Sequence, residues 1–135
     1  MATPRLKVDA TLPDPIWSQI EDGVRYLVAS GALRPGDALP SVRDLAREQR
    51  INPNTVAKAY QRLVDAGVLE TRRGEGTFVA ERPPALPAGE KERVLREAAS
   101  RYASLASTVG ATRAEALGAL QQAWPDGQPV KGGRR

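Results

Sequence analysis

Apolar residues return at three- and four-residue spacing through most of the chain, and each run is bounded by residues that start or stop helices. Ile16, Ile20, Val24, Leu27 and Val28, with Trp17 beside them, predict a first long helix. Asp14 stands where a cap belongs, Pro15 at the first helical position and Gly31 at the stop. Arg34-Pro35-Gly36-Asp37 reads as a turn by residue type. Val42, Leu45 and Ala46 predict a short helix opened by Ser41, which has the spacing of a capping box with Asp44. Arg43, Arg47 and Glu48 fall on the other side of that helix, and the pattern fades at Gln49–Arg50.

Asn52 then caps a further helix, with Pro53 first, where a missing N–H costs nothing. Val56, Ala59, Tyr60, Leu63 and Val64 form its buried stripe and leave Asn54, Thr55, Lys58, Gln61, Arg62 and Asp65 outside. Gly67 ends it in the left-handed conformation of a helix C-cap, letting Val68 fold back on the last turn. Leu69–Arg73 and Thr77–Val79 follow as strands around Gly74-Glu75-Gly76, whose glycines permit a tight turn. Residues 39–79 therefore predict two short helices, a tight turn and a hairpin: a helix-turn-helix followed by a wing. The first long helix should lie across the motif and close its core.

Ahead of these elements, Met1–Leu12 mixes polar residues with Leu6 and Val8, which predicts a frayed arm or a short extended segment carrying Arg5 and Lys7. Beyond the wing, Arg82–Gly89 holds three prolines and reads as a stiff, extended linker over 82–89. Glu90–Val109 predicts a strong helix with Val94, Leu95, Ala98, Tyr102, Leu105 and Val109 on one face, widened by Ala99, Ala103 and Ala106. Glu92–Arg96 and Glu97–Arg101 stand at the spacing of favourable ion pairs. Gly110 stops this helix. Thr112 and Glu115 form another capping box, and Ala114–Trp124 predicts a shorter helix with Leu117, Leu120 and Trp124 inward. Residues 125–135 form a tail of polar and glycine-rich composition for which disorder is expected. The fold class is mainly α with a small β-wing: a winged helix-turn-helix at 13–81 and a two-helix region at 90–124.

The two C-terminal helices cannot bury their apolar faces on each other alone. They can pack back on the winged domain or pair with the same helices of a second chain. The prolines between hold them away from the first, which favours a homodimer. They are also too short to enclose an effector pocket, which needs several hundred cubic ångströms.

Composition removes several function classes. The 135 residues contain neither cysteine nor histidine, so disulfides, Cys/His zinc sites and catalytic dyads built on either residue are excluded. No nucleophile–base pair is visible, and R-R-G-E-G-T matches no nucleotide-binding pattern, so no enzyme activity, metal or cofactor is expected. No apolar run approaches the roughly eighteen residues of a membrane helix, and M-A-T-P-R-L-K-V lacks the apolar core of a signal peptide, so a cytoplasmic protein without membrane contact is expected. The net charge of +4, from 20 basic and 16 acidic residues, is a weak pointer to DNA. Taking Lys131, Arg134 and Arg135 from the 20 leaves 17 against 16. Position matters more than the sum.

The second helix of the motif is the one that suits a major groove. Its first turns carry Asn52, Asn54, Thr55 and Lys58 with no carboxylate among them. Asn can bond an adenine edge in two places, Thr offers a hydroxyl or a methyl, and a helix N-terminus favours phosphate. Ser41 and Arg43 open the positioning helix, where Arg43 should anchor a phosphate. Arg72 and Arg73 at the wing's base are placed for phosphates or a minor groove, and Gly74 and Gly76 allow close backbone approach. The candidate partner is double-stranded DNA.

L-P-S-V-R-D-L-A, N-P-N-T-V-A-K-A-Y-Q-R-L and R-R-G-E-G-T-F-V resemble the winged helix-turn-helix of GntR-type bacterial transcription regulators from near Pro13 to near Glu81. N-P-N-T-V and G-x-G-T-F-V, with a short C-terminal part, are similar to the YtrA-like branch. The resemblance implies a transcription regulator, a repressor more than an activator, acting as a homodimer on an inverted-repeat operator. It also implies dimerisation through the C-terminal helices, autoregulation, neighbouring transporter genes and a base contact within reach of Arg43. It names no effector. A winged helix that docks proteins remains as an alternative, but it predicts an apolar outer face on Asn54–Asp65, and that face is polar. The detached head of an aminotransferase-like regulator is a further alternative, and the chain has no room for that pyridoxal phosphate domain.

Overall fold

Sequence periodicity becomes a set of helices and one hairpin in the structure, a computed structural model that describes residues 6–125. The order is α1 (Ile16–Ala29), α2 (Val42–Gln49), α3 (Pro53–Asp65), β1 (Leu69–Arg72), β2 (Gly76–Val79), α4 (Glu90–Thr108) and α5 (Arg113–Ala123). The chain divides between Pro87 and Ala88 into two compact units. The expectations for Arg5 and for the tail from Asp126 onward lie outside the described residues.

The core of the first unit is the set of apolar positions that the helical spacing singles out. Ile20 and Val24 of α1, Leu45 and Ala46 of α2, and Val56, Ala59, Tyr60 and Leu63 of α3 are buried together. Leu69 and Val79 face each other across the hairpin and close the core from the wing side. Complete burial of a side chain such as Leu63 stabilises the unit by roughly 1.5–3 kcal/mol. Helix α1 packs on α3, and α3 in turn packs on α2 and β1, so α3 is held on three sides.

Each helix boundary has a local cause, and two differ from expectation. Asp14 does not cap α1. Pro15 takes the N-cap position in extended conformation without a side-chain bond, so Asp14 stands one residue too early to reach the free N–H groups. Gln19 turns back there instead, donating to the carbonyls of Asp14 at 3.1 Å and Asp9 at 2.9 Å. The box at Ser41 is half formed. Ser41 Oγ accepts the Asp44 N–H at 3.0 Å, but the Asp44 carboxylate turns to Arg47 at 2.7 Å. In α5, where glutamate supplies one more methylene, both bonds close: Glu115 N–H donates to Thr112 Oγ1 at 3.1 Å, and Thr112 N–H to Glu115 Oε1 at 2.8 Å.

Gly67 adopts φ +82° at the end of α3, and Val68 N–H returns to the Leu63 carbonyl at 2.9 Å, as the C-cap reading requires. Helix α2 ends differently. Arg50, a non-glycine residue, sits at φ 58°, and Ile51 N–H bonds back to Ala46 at 2.9 Å. A left-handed residue with a Cβ costs about 1–2 kcal/mol, and burial of Ile51 against the core offsets it.

The wing is an antiparallel pair with Leu69 opposite Val79 and Arg72 opposite Gly76. The linker before α2 adds an edge to it. Leu39 N–H donates to Thr77 at 2.8 Å, Val79 N–H to Asp37 at 2.8 Å and Gly36 N–H to Val79 at 2.9 Å. The turn at Arg34–Asp37 forms as residue type predicts, with Asp37 N–H on the Arg34 carbonyl at 2.9 Å. The expected arm also gains an anchor. Gln49 Nε2 donates to the Leu6 carbonyl at 2.7 Å while its Oε1 accepts Val8 N–H at 3.1 Å, and Leu6 lies against Gly23 of α1.

In the second unit no residue of α4 or α5 is buried. Tyr102 ties the two helices by donating to the Ala116 carbonyl at 2.7 Å. The expected Glu92–Arg96 and Glu97–Arg101 pairs give way to Arg93, which lies between two carboxylates and reaches Glu90 at 2.7 Å and Glu97 at 2.9 Å. Among the described residues, no helix is long and apolar enough to cross a membrane.

Candidate nucleic-acid interface

The outward face of α3 carries the groups a base edge can meet. Asn54 and Lys58 are exposed and Thr55 half-exposed, all within the first two turns. Asn52 caps the helix: its Oδ1 accepts Asn54 N–H at 2.8 Å, leaving its amide N–H groups to donate outward. Ser41 is occupied in the same way, with its hydroxyl proton left to donate.

The cations divide into two groups. Arg43 and Arg73 are exposed and form no ion pair with any described residue. Arg47, Arg62 and Arg72 are engaged, Arg47 by Asp44 at 2.7 Å and Arg62 by Glu21 at 2.7 Å. Arg72 reaches Glu70 at 3.0 Å and stacks 4.0 Å from the Phe78 ring centre, which stiffens the wing across its strands. Lys58 has no carboxylate partner among the described residues; its ammonium lies 4.7 Å from the centre of the Trp17 ring.

At the wing tip Gly74 and Gly76 hold φ +75° and +120°, conformations that disfavour any residue with a Cβ. A Cβ on either would meet nothing within 4 Å, so the wing tip is open to an approaching surface.

Behind the face, Tyr60 of α3 donates its phenol to the Pro40 carbonyl at 2.8 Å and so fixes the start of α2 against α3. Burial, aided by the charge of Glu48, pushes this phenol's pKa well up, so it stays protonated through the neutral range. Sequence reasoning gave no role to Trp17, Glu21 or Gln49. The one available signal was spacing: Trp17 and Glu21 stand four residues apart on α1, as do Lys58 and Arg62 on α3.

A winged helix-turn-helix with a polar recognition face recurs in other chains. The model of a family described as bacterial regulatory proteins, gntR family, matches residues 17–79. The uncharacterized HTH-type transcriptional regulator YhcF of Bacillus subtilis (strain 168) is 38% identical over 103 residues, covering 76% of this chain and 84% of that one. The chain belongs to the GntR family. As a GntR-family protein it is a transcription regulator with a winged-helix DNA-binding fold, not an enzyme. A second relative, the HTH-type transcriptional repressor YtrA of the same Bacillus strain, is 45% identical over 76 residues, or 56% of this chain and 58% of that repressor.

Solved structures agree. YtrA from Sulfolobus acidocaldarius, a GntR-family transcription factor, matches with TM-score 0.54 and 34% identity, covering 70% of this chain and 97% of that one. The AraR DNA-binding domain in complex with operator ORX1 matches with TM-score 0.52 and 27% identity, covering 57% of this chain and 99% of that one. Among the described residues of this GntR-family chain, no group of His, Cys, Asp or Glu is disposed to hold a metal ion.

Proposed function

We propose that this protein is a repressor that occupies an inverted-repeat operator in double-stranded DNA as a homodimer. The carrying observation is the outward face of α3, where Asn54, Thr55 and Lys58 stand free of carboxylates above a buried stripe. Asn54 and Thr55 read base edges in the major groove. Ser41, Arg43, Asn52 and Lys58 take phosphates around them, and Arg43 also lies within reach of a base. In the wing, Arg73 is the free cation, Arg72 contributes what its pairing with Glu70 leaves over, and Gly74 and Gly76 let the backbone come close. The repressor YtrA and the operator-bound AraR domain support this reading by similarity.

In this reading residues 13–81 bind DNA, 82–89 form the spacer and 90–124 make the dimer. The support for the last is exposure. Leu95, Leu105, Val109, Leu117, Leu120 and Trp124 are all exposed, with Val109 at 71% and Trp124 at 63%. Val94, Ala98 and Tyr102 lie among them, and isolated apolar faces of this extent mark association surfaces. Repression follows from occupancy of the operator, so no bound effector is needed for the basal state.

Footprinting of the DNA around the protein's own gene tests the proposal. The expected result is a protected inverted repeat, with affinity that falls steeply as salt rises. Protection without two-fold symmetry, or none at any salt, would count against it.

A further inference from the structure

Two cations of the recognition helix share one aromatic ring, and the neighbouring helix treats them differently. Lys58 Nζ lies 4.7 Å and Arg62 Cζ 4.6 Å from the centre of the Trp17 ring. Four residues further along α1, Glu21 bonds Arg62 Nε at 2.7 Å through a carboxylate only 13% exposed. Arg62 is thus held by the ring and the carboxylate together. Lys58 is oriented by the ring alone, with its charge uncompensated among the described residues. Cation–π attraction at such a site is weak beside a phosphate contact, so the ring can hold the ammonium in place and still release it.

We propose that Trp17 is a positioning residue for DNA binding. It pre-orders the Lys58 side chain along the edge of α3, facing a phosphate beside the major groove, while Glu21 withdraws Arg62 from DNA and makes it a strut between α1 and α3. The inference rests on the reading of Lys58 as a DNA contact. Its physical basis is entropy. A free lysine surrenders rotamer freedom when it meets a phosphate, and a lysine already laid on a ring surrenders less.

Operator affinity of single and double variants, measured against salt, separates this role from mere support of the fold. Weakened packing lowers thermal stability and affects binding whether or not Lys58 is present. Lys58→Met should lower the salt slope by about 0.9 for each phosphate left without its lysine. Trp17→Leu, which keeps the site apolar, should weaken binding about two- to fivefold per head and leave the slope near that of wild type, because Lys58 still reaches its phosphate. Trp17→Phe should recover part of that affinity. In the Lys58→Met background, Trp17→Leu should have no further effect on affinity. In the free wild-type protein, the Lys58 methylene protons next to the ammonium should show the upfield NMR shift of protons over an aromatic ring, a measurement that needs no variant to fold.

An unchanged slope in Lys58→Met overturns the Lys58 contact and this inference together. A lowered slope in Lys58→Met beside wild-type affinity in Trp17→Leu overturns the positioning role alone. Unshifted Lys58 protons, or equal losses from Trp17→Leu in both backgrounds, overturn it as well.

Discussion

The phenol of Tyr60 donates to the carbonyl of Pro40 at 2.8 Å across twenty residues of chain. The bond joins α3 to the residue before the N-cap of α2, so it sets the angle of the helix-turn-helix from behind. Tyr60→Phe keeps the buried ring and leaves the carbonyl without its donor. We expect a loss of about 1–2 kcal/mol in urea unfolding, with the helical content retained. A variant as stable as the wild type would show that water replaces the phenol at no cost.

The same phenol makes stability depend on alkaline pH. Its folded-state pKa lies above the ordinary 10.0, from burial first and Glu48 second. The stabilisation is therefore complete below pH 10, where both states hold the proton. It is lost as pH rises beyond that, because the unfolded chain releases a proton that the folded state keeps. Denaturant titrations from pH 9 upward should show stability falling more steeply in wild type than in Tyr60→Phe. Parallel curves would mean that another group carries the alkaline limb.

Gly23 sits in the middle of α1, where glycine is about 1 kcal/mol worse than alanine. A Cβ there would run into the end of the Leu6 side chain, which can move only by leaving its place against the core. Gly23→Ala should therefore stabilise the wild-type chain little, and the Leu6→Ala chain by nearly the full helical gain. Equal gains in both backgrounds, read from thermal unfolding, would remove Leu6 as the reason for this glycine.

These contacts mark where legibility in the sequence ends. The caps at Ser41, Asn52 and Thr112, the stops at Gly31, Gly67 and Gly110, and the wing turn depend on residues within a few positions of each other, and residue type declares them. The clasp of Gln49 on Leu6 and Val8 spans more than forty residues, and nothing local announces it. The linker edge at Ala38 is hidden for the same reason, since its partner Phe78 lies forty residues away. In the interface, helical spacing tells which side chains leave α3 outward but treats every arginine alike. Only the fold separates Arg43 and Arg73, which stand free, from Arg62 and Arg72, which Glu21 and Glu70 hold.

That division yields a prediction about specificity. Arg43→Ala and Arg73→Ala should weaken binding to operator and to unrelated DNA alike, each lowering the salt slope by about 0.9 for the phosphate it leaves unpaired. For Arg43 any loss confined to the operator would measure its reach to a base. Asn54→Ala and Thr55→Ala should act on sequence choice, with about 1–3 kcal/mol lost at one operator position and little change on unrelated DNA. Competition binding with single-base operator variants decides it. If Asn54→Ala ranks those variants as wild type does, Asn54 reads no base.

The C-terminal helices carry the last prediction. Leu105 and Val109 are 61% and 71% exposed on α4 and at its C-cap, and Leu117 and Trp124 are 53% and 63% exposed on α5 and at its C-cap. The tie between these helices, from Tyr102 to Ala116, is a hydrogen bond and not a core. A pair of helices with no buried residue gains too little from its own packing to offset the entropy of ordering it. A second copy would supply the missing surface, and the same pairing would set two α3 helices at a spacing of about 34 Å, or a multiple, along one side of the DNA. Leu105→Glu combined with Val109→Glu should place two carboxylates in that surface and give monomers at micromolar concentration, with the melting of the first unit intact. A chain ending at Pro87 should behave likewise. Both should lose tight binding to the full operator and keep the weak binding of one head, because linkage through the dimer supplies the second head at millimolar effective concentration. Sedimentation and operator titration on the same samples test the two halves of the argument. A wild-type monomer, or a double-glutamate variant that holds the operator as tightly as wild type, would end it.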